Sequence, residues 1–298
     1  MMTRRAFLRT IAYGSAASIA AGSYAFAIEP RFRLVVTRYA VAPPRWPEGN
    51  GGLRIAALAD LHACEPWMPA SRIEEIVAAT NALRPDVIVL LGDFVAGVRR
   101  RLLTRFVRPQ EWAKALGNLS APLGVHAVLG NHDWWTDAPA VRAALLENGI
   151  TVLENHATLL EPPTGPAFWL AGIGDQQAYP LGFGRFQGAD DLPGTLAQIP
   201  EDGRPIVLLV HEPDIFTAVP ARVSLTLAGH THGGQVDLPL IGRPIIPSRY
   251  GQRYAYGHVV EDDRHLVVSA GLGCTGLPVR FGVPPEIVLV ELGAPATA

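Results

Sequence analysis

Five short apolar runs in this chain each lead into Asp, Asn or His, either directly or after a single Gly. They are residues 53–59 before Asp60 and His62, 86–91 before Asp93, 125–129 before Asn131 and His132, 205–210 before His211, and 223–228 before His230 and His232. Apolar runs of this length are typical of buried strands. The carboxyl ends of parallel strands meet at one sheet edge, where α/β proteins place their chemistry. The pattern predicts a partly parallel α/β fold with a polar site at that edge.

One such ending carries little weight by itself. Gly130-Asn131-His132-Asp133 is typical of a turn, because Gly, Asn and Asp favour turn conformations. Recurrence in chain order changes the interpretation, since the same side-chain types follow five separate runs. These residue types bind metal ions and transfer protons. The set therefore predicts a metal site.

The ordered set of polar endings resembles the signature of the calcineurin-like metallophosphoesterase superfamily over roughly residues 53–235. Flanking segments resemble its exported YkuE/YaeI-like phosphodiesterase branch: Trp134-Trp135, 170–175, 233–235 and 271–286. The resemblance implies a four-layer αββα sandwich, in which two packed mixed β-sheets are flanked by helices. It also implies a dinuclear metal site at the carboxyl ends of the strands.

The same resemblance assigns the metal ligands. Asp93 is expected to bridge two ions, with Asp60, His62 and His232 completing the first site and Asn131, His211 and His230 completing the second. Two ions about 3.5–4 Å apart can activate water and neutralise phosphoryl charge. Asp, Asn and His ligands suit two divalent metal ions of the Mn, Fe or Zn type better than Ca. Mn is favoured, because a protein exported folded can acquire its metals in the cytoplasm.

His132 is the expected catalytic residue. The family role of the corresponding histidine is to protonate the leaving-group oxygen, which an imidazole can do near neutral pH. Many relatives carry an Asp three residues after the bridging Asp to orient this histidine, but this chain has Ala96 there. Asp133 or a backbone group is the expected replacement.

Two further residues are candidate substrate contacts. Arg280 follows a Gly-rich turn, and an Arg can grip a phosphate through two parallel hydrogen bonds. A structural ion pair explains Arg280 equally well. Trp134 either lines the cleft, with Trp135, or belongs to the core.

The amino terminus reads as a twin-arginine (Tat) signal peptide over residues 1–27. Arg4-Arg5 is followed by Phe7-Leu8, a mild apolar stretch and a small-x-small site ending at Ala27. The stretch is short for a membrane span, although a weak anchor is the alternative. Residues 28–298 are then a single metallophosphoesterase domain. The Tat translocase is the expected export partner, and the periplasm or cell envelope the expected location.

Charge and cysteine content exclude several classes. The signal contains three arginines and no acid, so the mature chain has 22 basic and 27 acidic residues, a net charge of −5. This argues against nucleic-acid binding. An arginine-rich stretch, either a solvated cover or a rim for peripheral membrane contact, comprises Arg99, Arg100, Arg101, Arg105 and Arg108. Two cysteines exclude a disulfide scaffold; Cys64 and Cys274 are expected as free thiols, with a single bridge left open.

The expected substrate is a phosphate ester, and lipid or cell-envelope material is its expected source.

 We expect a monomeric, metal-dependent phosphoric ester hydrolase in which metal-activated water attacks phosphorus and His132 acts as general acid. One alternative is a pyrophosphohydrolase of a UDP-linked lipid-A precursor of the UDP-2,3-diacylglucosamine type, against which the export signal argues. The other is a non-catalytic metal-binding module, against which the complete ligand set argues.

Local patterns predict several elements. Ser71 and Glu74 form a capping-box pattern that predicts a helix start. Asp137 is expected to cap a second helix. The late apolar segments 266–270 and 287–291 are expected to close the second sheet.

Overall fold

The computed structural model describes residues 3–47, 52–96 and 104–293. Its strands are β1 (Val35–Val41), β2 (Leu53–Leu58), β3 (Cys64–Glu65), β4 (Val87–Leu91), β5 (Arg105–Phe106), β6 (Val125–Val128), β7 (Thr151–Val152), β8 (His156–Leu160), β9 (Phe168–Gly172), β10 (Tyr179–Gly182), β11 (Arg185–Gln187), β12 (Ile206–Leu209), β13 (Leu225–Ala228), β14 (Gly257–Glu261), β15 (Arg264–Val268) and β16 (Glu286–Leu292). Its α-helices are α1 (Arg4–Ser23), α2 (Glu29–Phe32), α3 (Ala70–Ala82), α4 (Pro109–Leu116), α5 (Asn131–Glu147) and α6 (Leu192–Ala197).

Two six-stranded mixed sheets form the centre of the molecule. The first has the order β1-β16-β2-β4-β6-β7, in which β16 runs antiparallel to β2 and the other neighbours are parallel. The second has the order β14-β15-β13-β12-β9-β8, with antiparallel strands at both edges. The two remaining strand pairs, β3 with β5 and β10 with β11, are short and antiparallel.

The core follows from strands that are apolar on both faces, as expected for sheets covered on both sides. In β2, Ile55 and Ala57 face the second sheet, whereas Ala56 and Leu58 face the helices. The helix-side core of the first sheet contains Trp112 of α4, and that of the second sheet contains Leu196 of α6. The predicted αββα sandwich is therefore confirmed.

Two local predictions were wrong. The segment 287–291 belongs to β16, which lies between β1 and β2 in the first sheet rather than in the second. Helix α3 begins two residues earlier than the capping-box pattern indicates, because its N-cap is Pro69 rather than Ser71, which lies within the first turn. The Pro69 carbonyl accepts from the amides of Arg72 and Ile73.

Helix α5 begins at Asn131, directly after β6, and is kinked at Asp137. The Asp137 backbone is non-helical there (φ −166°, ψ 79°), and its Oδ1 accepts from the amide of Ala140 at 3.1 Å. The predicted cap at Asp137 is confirmed. The turn before the kink places Asn131 and His132 at the sheet edge.

The amino-terminal helix packs on the domain where the two join. Helix α1 continues through a π-helical turn (Tyr24–Ile28) into α2. The Ala25 carbonyl accepts from the amide of Arg280 at 3.0 Å, and the Phe26 carbonyl accepts from Trp67 Nε1 at 2.9 Å. The end of the segment proposed as a signal peptide thus contacts the domain through its backbone carbonyls. The helical segment 7–32 is long and apolar enough to cross a membrane, but signal sequences also meet these two criteria.

Candidate metal centre

All seven predicted ligands converge where the carboxyl ends of strands from both sheets meet. They are Asp60, His62, Asp93, Asn131, His211, His230 and His232, and each is buried. The Asp93 carboxylate lies between two groups, since its Oδ2 is 3.4 Å from both His62 Nε2 and His211 Nε2. This is the position expected of a bridging ligand.

Each side of Asp93 holds a compact donor group. On one side, His232 Nε2 is 3.0 Å from His62 Nε2 and 3.5 Å from Asp60 Oδ1. On the other, Asn131 Oδ1 is 3.2 Å from His211 Nε2 and 3.0 Å from His230 Nδ1. The first group thus contains Asp60, His62 and His232, and the second contains Asn131, His211 and His230.

The chemistry of these donors fits two divalent cations. His62 Nδ1 donates to the Val95 carbonyl at 2.9 Å, and His211 Nδ1 donates to the Leu91 carbonyl at 2.7 Å. A carbonyl only accepts, so these bonds place a proton on Nδ1 of each ring and turn Nε2, the atom that can bind a metal, toward the Asp93 carboxylate. Lone pairs that face one another in a buried site are stabilised by a cation among them.

Burial keeps several of these imidazoles in the neutral form that binds metal. Burial lowers the pKa of His62 to about 4 and the pKa of His230 to about 3. The pKa of His232 is likewise lowered by burial and by the neighbouring His62. Near neutral pH these rings do not need to lose a proton before binding metal.

Five of the seven ligands have left-handed backbone. They are Asp60 (φ 53°), His62 (φ 46°), Asp93 (φ 58°), His230 (φ 69°) and His232 (φ 52°). Such conformations are uncommon for residues other than glycine, and they persist where surrounding contacts enforce them. The loops after β2, β4 and β13 are thus held in shapes that aim these side chains inward.

Asp133 enforces one of these shapes. Its carboxylate is fully buried and accepts from the amides of Asp93, Phe94, Val95 and Gly130 at 2.9–3.1 Å. Asp133 therefore joins the loop after β4 to the start of α5. Its oxygens serve these amides, so its position differs from that expected of a group orienting His132. Sequence reasoning missed this role, although the Asp three residues after Gly130 was a signal for an N-terminal helix cap.

His132 lies beside the donor groups on the open side. Its ring is half-buried, 4.9 Å from that of His62 and 5.0 Å from that of Trp135. Its Nε2 is 3.3 Å from Thr275 Oγ1, and its amide donates to Asp93 Oδ1 at 2.8 Å. Thr275 was not predicted; its place in the loop after β15 gave no sequence signal.

Gln177 also contacts the site without having been predicted. Its side-chain Nε2 is 3.3 Å from His230 Nε2, and its backbone amide donates to Asp175 Oδ1 at 2.7 Å. Asp175 is buried beside Glu212, and burial together with the nearby Glu212 raises the pKa of Asp175 well above its usual range. This acidic pair holds the loop that carries Gln177.

Arg280 does not reach the cleft. It is 0% exposed, and its guanidinium donates to the carbonyls of Gly273, Val283 and Ala270 at 2.6–3.0 Å. Its Nη2 lies 3.4 Å from His232 Nδ1. The expected contact of Arg280 with a phosphate is therefore not supported, because the described hydrogen bonds of its guanidinium all go to groups inside the domain.

Trp134 also lies away from the opening. It packs against the helix-side core of the first sheet, and its ring is 5.3 Å from that of Tyr179. The neighbouring Trp135 instead lines the cleft and donates from Nε1 to the Gln177 carbonyl at 2.8 Å. The helical backbone at this point sends the two adjacent rings in different directions.

The cleft over the site has a volume of about 660 Å³. One wall is formed by Trp135, Arg185 and Phe186, and another by Pro247 and Arg249. His132, Asp93 and His230 lie in its lining. The cleft is thus continuous with the donor groups.

The structure describes only part of the arginine-rich stretch. Arg99, Arg100 and Arg101 lie outside the described residues. Arg105 is exposed and pairs with Glu65 at 2.9 Å, and Arg108 lies 3.9 Å from Glu111. Cys64 and Cys274 are buried free thiols.

Comparison with known proteins places these observations in a family. A family model described as calcineurin-like phosphoesterase matches residues 53–234. The metallophosphoesterase YkuE of Bacillus subtilis is 32% identical over 297 residues, 98% of each chain. Phosphodiesterase YaeI of Escherichia coli is 30% identical over 296 residues, 98% of this chain and 100% of that one. A transmembrane protein with metallophosphoesterase domain from Danio rerio is 33% identical over 253 residues, which cover 83% of this chain and 54% of that protein.

Proposed function

The chain belongs to the calcineurin-like phosphoesterase family, and we propose that it is a metal-dependent phosphodiesterase with His132 as its general acid. The observation that carries the proposal is the pair of buried donor groups around Asp93, with His132 beside them on the cleft side. Family membership supports a metal-dependent phosphoester hydrolase. The diester preference draws further support from the name of the relative YaeI.

The chain's own residues have distinct tasks in this proposal. Asp60, His62 and His232 would hold one divalent ion, Asn131, His211 and His230 the other, and Asp93 both. When bound, the ions supply charge neutralisation for the phosphoryl oxygens and a lowered pKa for water. The ring of His132 donates a proton to the leaving oxygen. The hydrogen bond from the His132 backbone amide to Asp93 fixes the position of His132 relative to the donor groups.

A diester carries two organic substituents on phosphorus, and two separate segments, the β10–β11 hairpin and residues 247–249, line the cleft together with His132. Trp135 and Phe186 offer ring faces on one wall, with their centroids 5.6 Å apart. Arg249 on the other wall offers positive charge. These walls are the proposed contacts for the two ester groups.

We also propose that Mn, Fe or Zn fills the two sites, because the donors are nitrogen and oxygen atoms. Mn is favoured because a protein exported in the folded state can acquire its metals in the cytoplasm. The twin-arginine pattern in residues 1–27 supports export by the Tat route to the periplasm or cell envelope. Residues 28–298 are proposed to act as a single, monomeric domain. Metal analysis of protein isolated from its native compartment tests the metal assignment, and exclusive zinc occupancy contradicts the preference for Mn.

Hydrolysis of bis(p-nitrophenyl) phosphate with added Mn²⁺ tests the reaction. We expect turnover in the native chain and its loss in Asp93→Asn. The matched control is Asp262→Asn, an exposed carboxylate in the turn between β14 and β15, which should leave the rate unchanged. Absence of hydrolysis in metal-loaded native protein would favour a binding module over an enzyme.

A further inference from the structure

Two loops beside the cleft carry large apolar side chains in solvent. The β10–β11 hairpin exposes Leu181 by 55% and Phe183 by 102%. The segment between β13 and β14 exposes Leu240 by 108%, Ile241 by 72% and Ile245 by 76%. Clusters of exposed apolar side chains on a soluble surface mark sites of protein or membrane contact.

These loops form the two walls of the cleft mouth. Leu181 and Phe186 of the hairpin line one side, and Pro247 and Arg249, which follow Ile245, line the other. A surface that received both loop tips would therefore face the opening of the candidate active site.

Turn geometry presents the tips. Phe183 (φ 53°) lies between Gly182 and Gly184, and Leu240 (φ 70°) lies two residues before Gly242. A Cβ added at any of these three glycines would meet nothing within 4 Å, so the tips project into open space. The fold gains no apolar burial from either side chain.

The charge near the tips suits an anionic surface. Arg185 and Arg249 both line the mouth, and both are exposed. Arg249 is partly compensated by Asp214, whose Oδ2 lies 3.4 Å from its Nε. Arginines beside inserted apolar side chains attract the anionic headgroups of a lipid leaflet.

The membrane-length helix meets the domain next to one of these loops. The ring of Tyr24 packs edge-on against that of Phe281 at 6.2 Å. The Phe281 carbonyl accepts from the amide of Asp237 at 2.8 Å, three residues before Leu240. A membrane that held α1, which runs directly into Tyr24, would thus lie close to the Leu240 loop.

We propose that the face bearing the cleft docks on a lipid bilayer, with Phe183 and Leu240 inserted at its two sides. The substrate class is then a phosphodiester embedded in that bilayer, of the phospholipid type, taken up without leaving the membrane. This identification of the substrate rests on the proposed function, whereas the docking itself does not.

Depth measurement on the full chain tests the docking. Phe183→Cys and Leu240→Cys are labelled with the environment-sensitive dye NBD, since the two native thiols are buried. The control is Glu201→Cys. The Glu201 side chain is 91% exposed and precedes β12, whereas the ligand His211 follows the other end of that strand. With phosphatidylcholine vesicles containing phosphatidylglycerol, we expect blue-shifted, brighter emission at positions 183 and 240 but not at 201.

Two results would overturn the docking. One is emission at positions 183 and 240 that stays as aqueous as that at 201 with vesicles present. The other is a blue shift that appears without vesicles and grows with protein concentration, which would assign the tips to a second copy of the chain.

Activity separates docking from chemistry. The double variant Phe183→Asp, Leu240→Asp should lose roughly 100-fold of its rate on a vesicle-embedded phosphodiester, because each of the two inserted side chains favours the bilayer by about 10-fold. Its melting temperature and its rate on soluble bis(p-nitrophenyl) phosphate should not change. An equal rate on vesicles would reject docking, while inactivity of the native chain on both substrates would reject the proposed function.

Discussion

At the scale of single residues, Asp133 determines how the bridging carboxylate is held. Its two oxygens accept from four buried amides, and one of these is the amide of Asp93. Because the Asp93 backbone is left-handed (φ 58°), it depends on such contacts to stay in place.

Asp133→Ala should therefore lower both stability and metal content. Leaving a buried amide unpaired costs about 1–3 kcal/mol, so we expect a loss of at least that size in the free energy of unfolding. Chemical denaturation and metal analysis measure the two effects. Asp191→Ala, which removes the α6 cap whose Oδ1 accepts from Gly194 at 2.9 Å, is the control and should retain its metals.

His132→Ala should leave the donor groups intact and reduce turnover by roughly 10²–10⁴, the usual contribution of a positioned proton donor. The reason is that the variant keeps all seven assigned ligands and the backbone amide of residue 132, which bonds to Asp93. A His132 ring nitrogen lies within 4.8 Å of donor atoms of His62 and Asp93, so metal content is the deciding measurement. Metal content and kcat are measured on the same preparation. Loss of metal in this variant would contradict the role assigned to His132.

Arg280→Lys should lower the melting temperature and leave KM for a soluble diester unchanged. A lysine cannot serve the three carbonyls that the guanidinium contacts, and each unpaired buried group costs about 1–3 kcal/mol. A raised KM at unchanged melting temperature would instead favour phosphate contact.

Sequence reasoning identified the ligand types but not their backbone. Strand ends followed by Asp, Asn and His are visible as a one-dimensional pattern. The left-handed conformations of Asp60, Asp93 and His230 are not, because contacts from distant segments impose them. The interior place of Arg280 was hidden for the same reason, since its carbonyl partners lie on a loop that folds around it.

At the scale of elements, the junction between β6 and α5 is the tightest part of the site. A Cβ at Gly130 would lie 2.3 Å from Asp93 Oδ1 and 2.7 Å from His211 Cε1. The strand thus reaches the helix only if this residue has no side chain.

Gly130→Ala should accordingly displace Asp93 and abolish metal binding, although no ligand is removed. Metal titration followed by calorimetry measures the effect. Gly203→Ala is the control, because a Cβ there meets nothing within 4 Å and only its positive φ (79°) is strained. It should lower stability by about 1 kcal/mol and bind metal normally.

Element positions were predictable where they depend on local pattern. The strands before each ligand, and the cap at Asp137, follow from apolar runs and turn chemistry. The place of β16 does not, because an apolar strand carries no local mark of which sheet it joins. Its insertion between β1 and β2 is decided by contacts with segments more than 200 residues away.

At the scale of the whole molecule, the two cysteines report on the edge where the sheets meet. Both thiols are buried, and burial, together with the neighbouring Cys274, raises the pKa of Cys64 to about 12. A thiol with so high a pKa contains little reactive thiolate near neutral pH.

Native protein should therefore react slowly with a thiol reagent, and unfolded protein should show two free thiols without reductant. The measurement is a thiol count at pH 8 with and without denaturant. Fewer than two thiols in unfolded, unreduced protein would reveal the bridge that the sequence left open. Rapid labelling of the native form would show that this edge opens more readily than its burial indicates.

The packed junction at Ala25 and Phe26 has a consequence in time. A peptidase that cuts after Ala27 must bind the preceding residues in extended form, yet here they are helical and their carbonyls accept from Arg280 and Trp67. Once the domain has folded, cutting requires these bonds to break first. Whether the finished protein keeps its helix then depends on which happens first, cleavage after Ala27 or packing of the helix end on the folded domain. A chain in which the helix end packs first protects its own cleavage site.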